Sequence, residues 1–123
     1  MSDDAFSANG HCHCGAERFL VAAAPMLTEF CHCESCRRSV GTQLMTWAGF
    51  ARDAVTITQG EPVAYESSPG VIHTFCGICG TSLTLGDERF ASEIYVATAA
   101  FDDPGTTEAI ALEVHIWRSE RLP

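Results

Sequence analysis

Three cysteines fall within the six residues from Cys31 to Cys36, and this C-x-C-x-x-C arrangement constrains the chain more than any other feature of its sequence. A structural zinc ion takes four protein ligands in a tetrahedron, whereas a zinc ion that takes part in chemistry keeps three and leaves the fourth position to water or substrate. Three thiols are therefore one short of a closed site. The other cysteines decide whether this triad, Cys31, Cys33 and Cys36, stands alone.

The remaining four cysteines form two tight pairs, Cys12 with Cys14 and Cys76 with Cys79. Residues i and i+2 of an extended chain point to the same side, so a C-x-C pair can share one ion, and a C-x-x-C pair does so at a tight turn. The total of seven cysteines is odd, and neighbours two or three residues apart seldom form good disulfides. The pattern is therefore typical of metal ligands.

The grouping of two, two and three divides most naturally into one closed four-cysteine site and one open triad. The alternatives are a single four-cysteine site with idle thiols, or a triad closed by one of the histidines among the cysteines, which are His11, His13 and His32. Adjacent residues project away from an ion that their neighbours bind, which favours turn or surface roles for these histidines. His73 and His115 alternate within predicted strands and are interpreted as core or sheet-face residues.

A redox role for Cys76 and Cys79 is also considered, since C-x-x-C occurs in thioredoxin-like sites. Such a site requires the first cysteine at the N-terminus of a helix after a βαβ pattern. Gly77, Gly80 and Thr81 start no helix. We therefore prefer the metal-binding interpretation of this pair.

Short apolar and β-branched runs at roughly ten-residue spacing, with turn residues between them, predict a mainly β domain of short antiparallel strands. Strands are predicted at residues 16–21, 27–31, 42–50, 55–59, 63–66, 71–75, 82–85, 93–100 and 111–117. Cys36, Arg37 and Arg38 are placed on one helical turn. The length of 123 residues suits one domain, so we expect a flexible segment at residues 1–9 and a single zinc-binding domain at residues 10–123.

The formal net charge of −9 repels polyanions, so nucleic acid is not an expected partner. The apolar runs are far shorter than the roughly 20 residues of a membrane helix, so no membrane partner is expected. The first residues have neither the basic nor the apolar region of a secretory signal. These features predict a cytoplasmic protein, in a compartment where disulfides rarely persist.

Taken together, the cysteine groups resemble those of the family of glutathione-dependent formaldehyde-activating enzymes, which shares its domain with centromere protein V. The resemblance covers residues 10–117 and rests on these motifs: Cys12-His-Cys14-Gly, Cys31-His-Cys33-x-x-Cys36-Arg37, Cys76-Gly-x-Cys79-Gly-Thr81 and the segment from Ala97 to Pro104. Seven cysteines in three spaced groups make it far more specific than a single C-x-x-C.

The resemblance implies a β-rich, tent-like fold stabilised by two zinc ions. By the family pattern the structural zinc is held by Cys12, Cys14, Cys76 and Cys79, and the catalytic zinc by Cys31, Cys33 and Cys36. The implied activity is the reversible joining of formaldehyde to the thiol of glutathione, giving S-hydroxymethylglutathione. This is carbon–sulfur lyase chemistry on a small thiol–aldehyde adduct.

Three residues near the triad are candidates for the remaining roles. A proton must move in the reaction, and Glu34 is the acid nearest to the triad, although a surface role also suits it. Arg37 or Arg38 is predicted to bind a carboxylate of glutathione, with a helix-end or surface role as the alternative. Two other functions are considered: a non-catalytic zinc-stabilised module that binds a protein partner, and a zinc carrier or sensor.

Overall fold

The computed structural model describes residues 6–103, 114–116 and 122, and within them the chain forms ten strands in two sheets, one α-helix and three 3₁₀ turns. The smaller sheet, in the order β1-β2-β5, consists of β1 (Ala8–His11), β2 (Arg18–Val21) and β5 (Val55–Gln59). The larger sheet, in the order β10-β3-β4-β9-β8-β7-β6, consists of β3 (Leu27–Cys31), β4 (Met45–Ala51), β6 (Val63–Ser68), β7 (Val71–Phe75), β8 (Ser82–Asp87), β9 (Glu93–Ala97) and β10 (Val114–Ile116). Helix α1 (Glu34–Val40) follows β3, and 3₁₀ turns occupy Arg52–Ala54, Glu88–Phe90 and Thr98–Ala100.

The predicted mainly antiparallel β fold is confirmed, with one parallel pair. β10 runs parallel to β3, with Val114 opposite Glu29. No hairpin joins these two strands, so nothing forces them to run in opposite directions. The predicted strand at residues 93–100 ends at Ala97, and its last part forms the 3₁₀ turn Thr98–Ala100. The predicted strand at 111–117 includes β10, and its other residues lie outside the described part of the chain.

β1 begins earlier than the sequence indicates, since it includes Ala8 and Asn9 of the expected flexible segment. Ala8 is buried and pairs with Val21 of β2. The sequence Ala-Asn-Gly-His has no clear apolar alternation, so tertiary contacts fix this strand. A Cβ atom at Gly10 would overlap the ring of Phe19, which shows how closely the β1 backbone approaches the core.

The core lies between the two sheets and is centred on three phenylalanine rings. Phe101 packs edge-on against Phe19 of β2 and Phe50 of β4, at ring-centroid distances of 5.4 and 6.2 Å. Burying a side chain of this size stabilises the fold by about 1.5–3 kcal/mol. None of the described helices is both long enough and apolar enough to span a bilayer.

The opposite face of the larger sheet carries a row of side chains that the strand register brings together. Tyr95 is opposite Gly49 on one side and Leu85 on the other, and Leu85 is opposite His73. Paired residues of neighbouring strands point to the same face. Glu29, which is opposite Trp47, shares this face. We call it the site face and define it by Glu29, Trp47, His73, Leu85 and Tyr95.

Candidate metal centres and the adjoining cavity

The first cysteine cluster joins the two sheets. Cys12 and Cys14 follow β1 of the smaller sheet, whereas Cys76 and Cys79 lie in the turn between β7 and β8 of the larger one. The four sulfur atoms lie within 4.8 Å of one another, with 3.6 Å between Cys12 and Cys14 and 3.8 Å between Cys14 and Cys76. A tetrahedral ion with metal–sulfur bonds of about 2.3 Å requires sulfurs about 3.8 Å apart. The cluster therefore fits a thiolate-bound cation such as zinc.

Backbone N–H groups surround the sulfurs of this cluster. The N–H of Glu17 donates to the sulfur of Cys12 at 3.3 Å, and the N–H groups of Ile78 and Cys79 donate to the sulfur of Cys76 at 3.4 Å. Such donors disperse the negative charge of thiolates around a metal.

Thr81 connects the two halves of the four-cysteine cluster. Its hydroxyl oxygen accepts a hydrogen bond from the N–H of His13 at 3.0 Å and lies 3.2 Å from the sulfur of Cys79. Since the oxygen already accepts from the N–H, its own proton is available to Cys79. Hydrogen bonds from the hydroxyl and the N–H of Thr81 lower the pKa of Cys79 to about 5, which favours the thiolate that a metal binds.

The second cluster, the triad, lies where β3 turns into α1. Cys31 ends β3, Cys33 is the N-cap of α1, and Cys36 is in its first turn. The N–H of Cys36 donates to the sulfur of Cys33 at 3.3 Å, so the thiol takes the capping position that Ser or Asp often occupies. The helix ends at Val40 and is capped by Gly41, whose N–H donates to the carbonyl of Arg37; the left-handed φ of 76° at Gly41 then turns the chain so that the N–H of Thr42 donates to the same carbonyl.

The three triad sulfurs lie within 4.8 Å of one another, and those of Cys31 and Cys33 are 3.3 Å apart. Hydrogen bonds from the thiols of Cys31 and Cys36 lower the pKa of Cys33 to about 2. The bond to Cys33 raises the pKa of Cys31 to about 12, and the bonds to Cys31 and Cys33 raise the pKa of Cys36. The cluster therefore favours one thiolate, and a cation is needed to ionise all three thiols.

No fourth ligand completes the triad within the described ranges. No ring nitrogen of a histidine and no carboxylate oxygen there lies within 4.8 Å of all three sulfurs. His11 instead places Nε2 3.4 Å from a carboxylate oxygen of Asp102, and His13 is exposed. The alternative in which a histidine closes the triad is therefore not observed in this part of the chain, and the donor set matches a three-ligand site.

A cavity of about 530 Å³, which we call the triad cavity, adjoins the second cluster. It is lined by the site face, by the triad and the start of helix α1, by Ser68 and Val71 where β6 turns into β7, and by the end of β8 with the 3₁₀ turn that follows. The site face contributes Glu29, His73, Leu85 and Tyr95, the helix region contributes Cys33, Ser35 and Cys36, and the end of β8 with its turn contributes Asp87, Arg89 and Phe90.

Charged groups of both signs face the triad cavity. Glu29 is buried, and burial raises the pKa of its carboxyl group, with further increases from the charges of Cys33 and Glu93. Arg89 binds the carboxylate of Asp87 with Nη2–Oδ2 and Nε–Oδ1 distances of 2.6 and 3.1 Å. This hydrogen bonding lowers the pKa of Asp87. The cavity therefore offers a guanidinium and carboxylates beside the three thiols.

The residues predicted to assist the triad lie elsewhere on α1. Arg38 donates from Nε to a carboxylate oxygen of Glu34 at 2.7 Å on the exposed face of the helix. Arg37 donates from Nε to the carbonyl of His32 at 3.1 Å. Neither arginine nor Glu34 lines the triad cavity, and their assisting roles remain predictions.

Neither Glu29 nor Arg89 is predicted from the sequence as a cavity residue. Glu29 could have been found, because it precedes Cys31 by two residues in one strand and therefore shares its face. Arg89 has no local signal, since its position depends on the pairing of β8 with β9 and on the turn between them.

His73 is buried and lines the cavity, which agrees with its interpretation as a core or sheet-face residue. Its ring packs edge-on against that of Trp47 at a centroid distance of 6.3 Å. Both of its ring nitrogens lack a hydrogen-bond partner among the described residues. Burial lowers the pKa of His73, although the charge of Cys33 opposes the shift, so the neutral imidazole is favoured.

Comparison with known proteins gives three results. The profile of the family described as glutathione-dependent formaldehyde-activating enzyme matches residues 7–120. A protein of Halomonas elongata that carries this name as a provisional assignment is 30% identical over an alignment 102 positions long, which covers 76% of this chain and 64% of the relative. The alignment thus spans less than two thirds of that relative.

The third result concerns the fold alone. A crystal structure of a Rhodobacter sphaeroides protein superimposes with a TM-score of 0.70 and covers 87% of this chain and 98% of that chain. The sequence identity of this pair is 21%.

Proposed function

Because the chain belongs to the family of glutathione-dependent formaldehyde-activating enzymes, we propose that it is a zinc-dependent carbon–sulfur lyase. It forms and cleaves the S-hydroxymethyl adduct of glutathione or of a related thiol. The observation that carries this proposal is the triad, whose three thiols adjoin a cavity of about 530 Å³ and have no fourth ligand among the described residues. A closed site would leave no position for a substrate.

The two clusters take different roles in this proposal. Cys12, Cys14, Cys76 and Cys79 hold a structural zinc ion, and Cys31, Cys33 and Cys36 hold the catalytic one. When bound at the triad, zinc supplies Lewis acidity and lowers the pKa of a coordinating thiol. The donor set supports this assignment because thiolates favour zinc over hard cations such as magnesium.

The reaction transfers no electrons to or from a redox partner. In the forward direction a bond forms between the thiol sulfur and the carbon of formaldehyde, and the carbonyl oxygen becomes a hydroxyl by gaining the proton that the thiol loses. The reverse reaction breaks the same carbon–sulfur bond and returns the proton. The triad cavity contributes by holding both reactants in one orientation, which replaces a random encounter in water.

Proton transfer is assigned to Glu29 on the basis of its position. Of the two carboxyl groups near the triad in sequence, Glu29 lines the triad cavity, whereas Glu34 pairs with Arg38 at the surface. A general acid or base must reach the proton that it transfers. The place of Glu29 on the site face, two residues before Cys31, supports this role.

The carboxylates of glutathione require a cationic partner, and arginine binds carboxylates through paired N–H groups. Arg89 is the one arginine in the described part of the chain that lines the triad cavity, and Asp87 holds its guanidinium in place. We therefore add Arg89 to Arg37 and Arg38 as a candidate carboxylate-binding residue.

Magnetisation-exchange NMR of formaldehyde with glutathione tests the proposed reaction. The zinc-loaded protein is expected to accelerate exchange between free and glutathione-bound formaldehyde, and Cys36→Ala is expected to show the buffer rate. Arg18→Gln serves as a matched control, since Arg18 is exposed on β2 and does not line the triad cavity. A zinc-loaded protein that leaves the buffer rate unchanged would contradict this reaction.

A further inference from the structure

His73 combines burial with unused hydrogen-bonding capacity. The residue is 4% exposed, and neither ring nitrogen has a partner among the described residues. Polar groups removed from water are nearly always hydrogen-bonded in folded proteins, because losing water without replacement is unfavourable. An imidazole in this state on the wall of a cavity indicates that a ligand supplies the missing bonds.

The fold holds this imidazole in place. His73 lies between Tyr65 of β6 and Leu85 of β8 in the strand register. Its ring packs against Trp47, which is fully buried. These neighbours hold the imidazole in one position on the site face.

A second unpartnered polar atom lies on the same cavity. The hydroxyl oxygen of Ser35, on α1, is buried without a hydrogen-bond partner in the described residues, and Ser35 lines the triad cavity together with His73. Two residues that line this cavity from different elements thus carry buried polar atoms without a partner among the described residues. A purely apolar ligand would leave both groups unpaired.

Direct metal binding does not explain His73. Its ring nitrogens are not within 4.8 Å of all three triad sulfurs. Packing alone does not explain it either, because Leu or Phe would fill the same space without buried polar atoms. A ligand bound in the triad cavity would supply the missing hydrogen-bond partner.

We propose that His73 is a specificity-determining residue whose imidazole hydrogen-bonds the hydroxyl group of a hydroxyalkyl thioether bound in the triad cavity. This inference rests on the proposed function and names the part of the substrate that the site recognises. A neutral imidazole offers one donor and one acceptor, and a hydroxyl group can pair with both kinds. A site built to pair with a hydroxyl rejects an analogue that lacks it, since the buried imidazole is then left unpaired.

Two stable ligands of similar size test this selectivity by calorimetric titration of the zinc-loaded protein. They are S-(2-hydroxyethyl)glutathione and S-propylglutathione, which differ by a hydroxyl in place of a methyl group. The wild-type protein is expected to prefer the hydroxyl ligand by about tenfold, the usual value of one satisfied hydrogen bond. His73→Leu is expected to abolish this preference, and His73→Gln, which keeps a donor and an acceptor, to retain part of it.

Thr84→Val is the matched control, because Thr84 is buried on the opposite face of the larger sheet and hydrogen-bonded to Thr74. It removes a buried polar group without touching the triad cavity and is expected to keep the wild-type preference. Metal content is measured in parallel and is expected to stay the same in His73→Leu. In the exchange assay, His73→Leu is expected to lose about 100-fold in rate, as for removal of a hydrogen bond to a developing oxyanion.

The outcomes separate this inference from the proposed function. Equal hydroxyl preference in wild type and His73→Leu overturns the inference even if the wild type catalyses exchange. Loss of a metal ion in His73→Leu also overturns it, since His73 would then be a ligand. A wild type that does not catalyse exchange, but shows a preference that His73→Leu loses, contradicts the proposed reaction and supports the inference. Binding of neither ligand overturns both.

Discussion

The sulfur atoms of Cys14 and Cys76 lie 3.8 Å apart although the two cysteines are 62 positions apart in the chain. One belongs to the segment after β1 and the other to the turn after β7, so a metal bound there cross-links the two sheets. The triad, in contrast, is contained in one six-residue segment. The two clusters should therefore contribute very differently to stability.

Cys79→Ser is expected to unfold the protein, whereas Cys36→Ser is expected to leave it folded. Binding of a structural zinc ion contributes on the order of 10 kcal/mol, which is comparable to a total stability of about 5 to 15 kcal/mol. Circular dichroism and thermal unfolding of the two variants test this difference. Equal loss of stability in both variants would contradict the separate roles of the clusters.

Thr81→Val is expected to weaken the four-cysteine site without destroying it. The change removes the hydrogen bond from the N–H of His13 and the contact of the hydroxyl with Cys79. Loss of such a supporting contact typically lowers metal affinity by about 10 to 100-fold. Competition with a chelator measures the affinity, and Thr81→Ser, which keeps the hydroxyl, is the control. Identical affinities for Val and Ser at this position would show that the hydroxyl has no role.

Gly49→Ala is expected to reshape the triad cavity by displacing Tyr95. A Cβ atom at this position would lie 2.8 Å from Cε1 of the Tyr95 ring. Overpacking of this kind costs about 1–3 kcal/mol, and denaturant unfolding measures the loss. The ring also holds the hydrogen bond from its hydroxyl to Glu93 at 2.7 Å, which its displacement would break.

Repeating Gly49→Ala in a protein that already carries Tyr95→Ala shows whether the clash with Tyr95, rather than any side chain at position 49, causes the loss of stability. With the ring absent, Gly49→Ala should stabilise the strand by roughly 0.5–1 kcal/mol, because glycine in a strand interior is less favourable than alanine. A loss of stability in both backgrounds would mean that the clash with Tyr95 is not the cause.

Arg89→Gln is expected to raise the pKa of Asp87 towards its ordinary value, since the hydrogen bond from Arg89 is the main cause of the lowered pKa. A carboxyl group whose pKa is lower in the folded state stabilises the fold above its unfolded pKa, and this contribution disappears as the pH falls through the folded value. Titration of the side-chain carboxyl carbon by NMR measures the shift, with Arg18→Gln as control. The same Asp87 pKa in Arg89→Gln and wild type would show that the pair is not formed.

Both cysteine clusters could be predicted from the sequence because their ligands come in short motifs whose spacing fixes local geometry. The strand content could be predicted for the same reason, since alternation and turn residues are local signals. The position of Glu29 beside the triad could also have been predicted, because residues two positions apart in a strand, such as Glu29 and Cys31, lie on the same face.

The rest of the site depends on contacts between distant segments. Arg89 reaches the triad cavity through the register in which Leu85 pairs with Tyr95. The lack of partners at His73 becomes visible only when its neighbours in space are known. β1 was not predicted because its own sequence has no strand pattern. It is defined instead by its pairing with β2 and by its close approach to Phe19.

The number of zinc ions bound per chain tests the central claim most directly. Native mass spectrometry of protein produced with excess zinc is expected to show two ions for the wild type, one for each cysteine cluster. Cys36→Ala, which removes one triad thiol, is expected to retain one ion and a folded structure. A single ion in the wild type, with the same number in Cys36→Ala, would contradict the account.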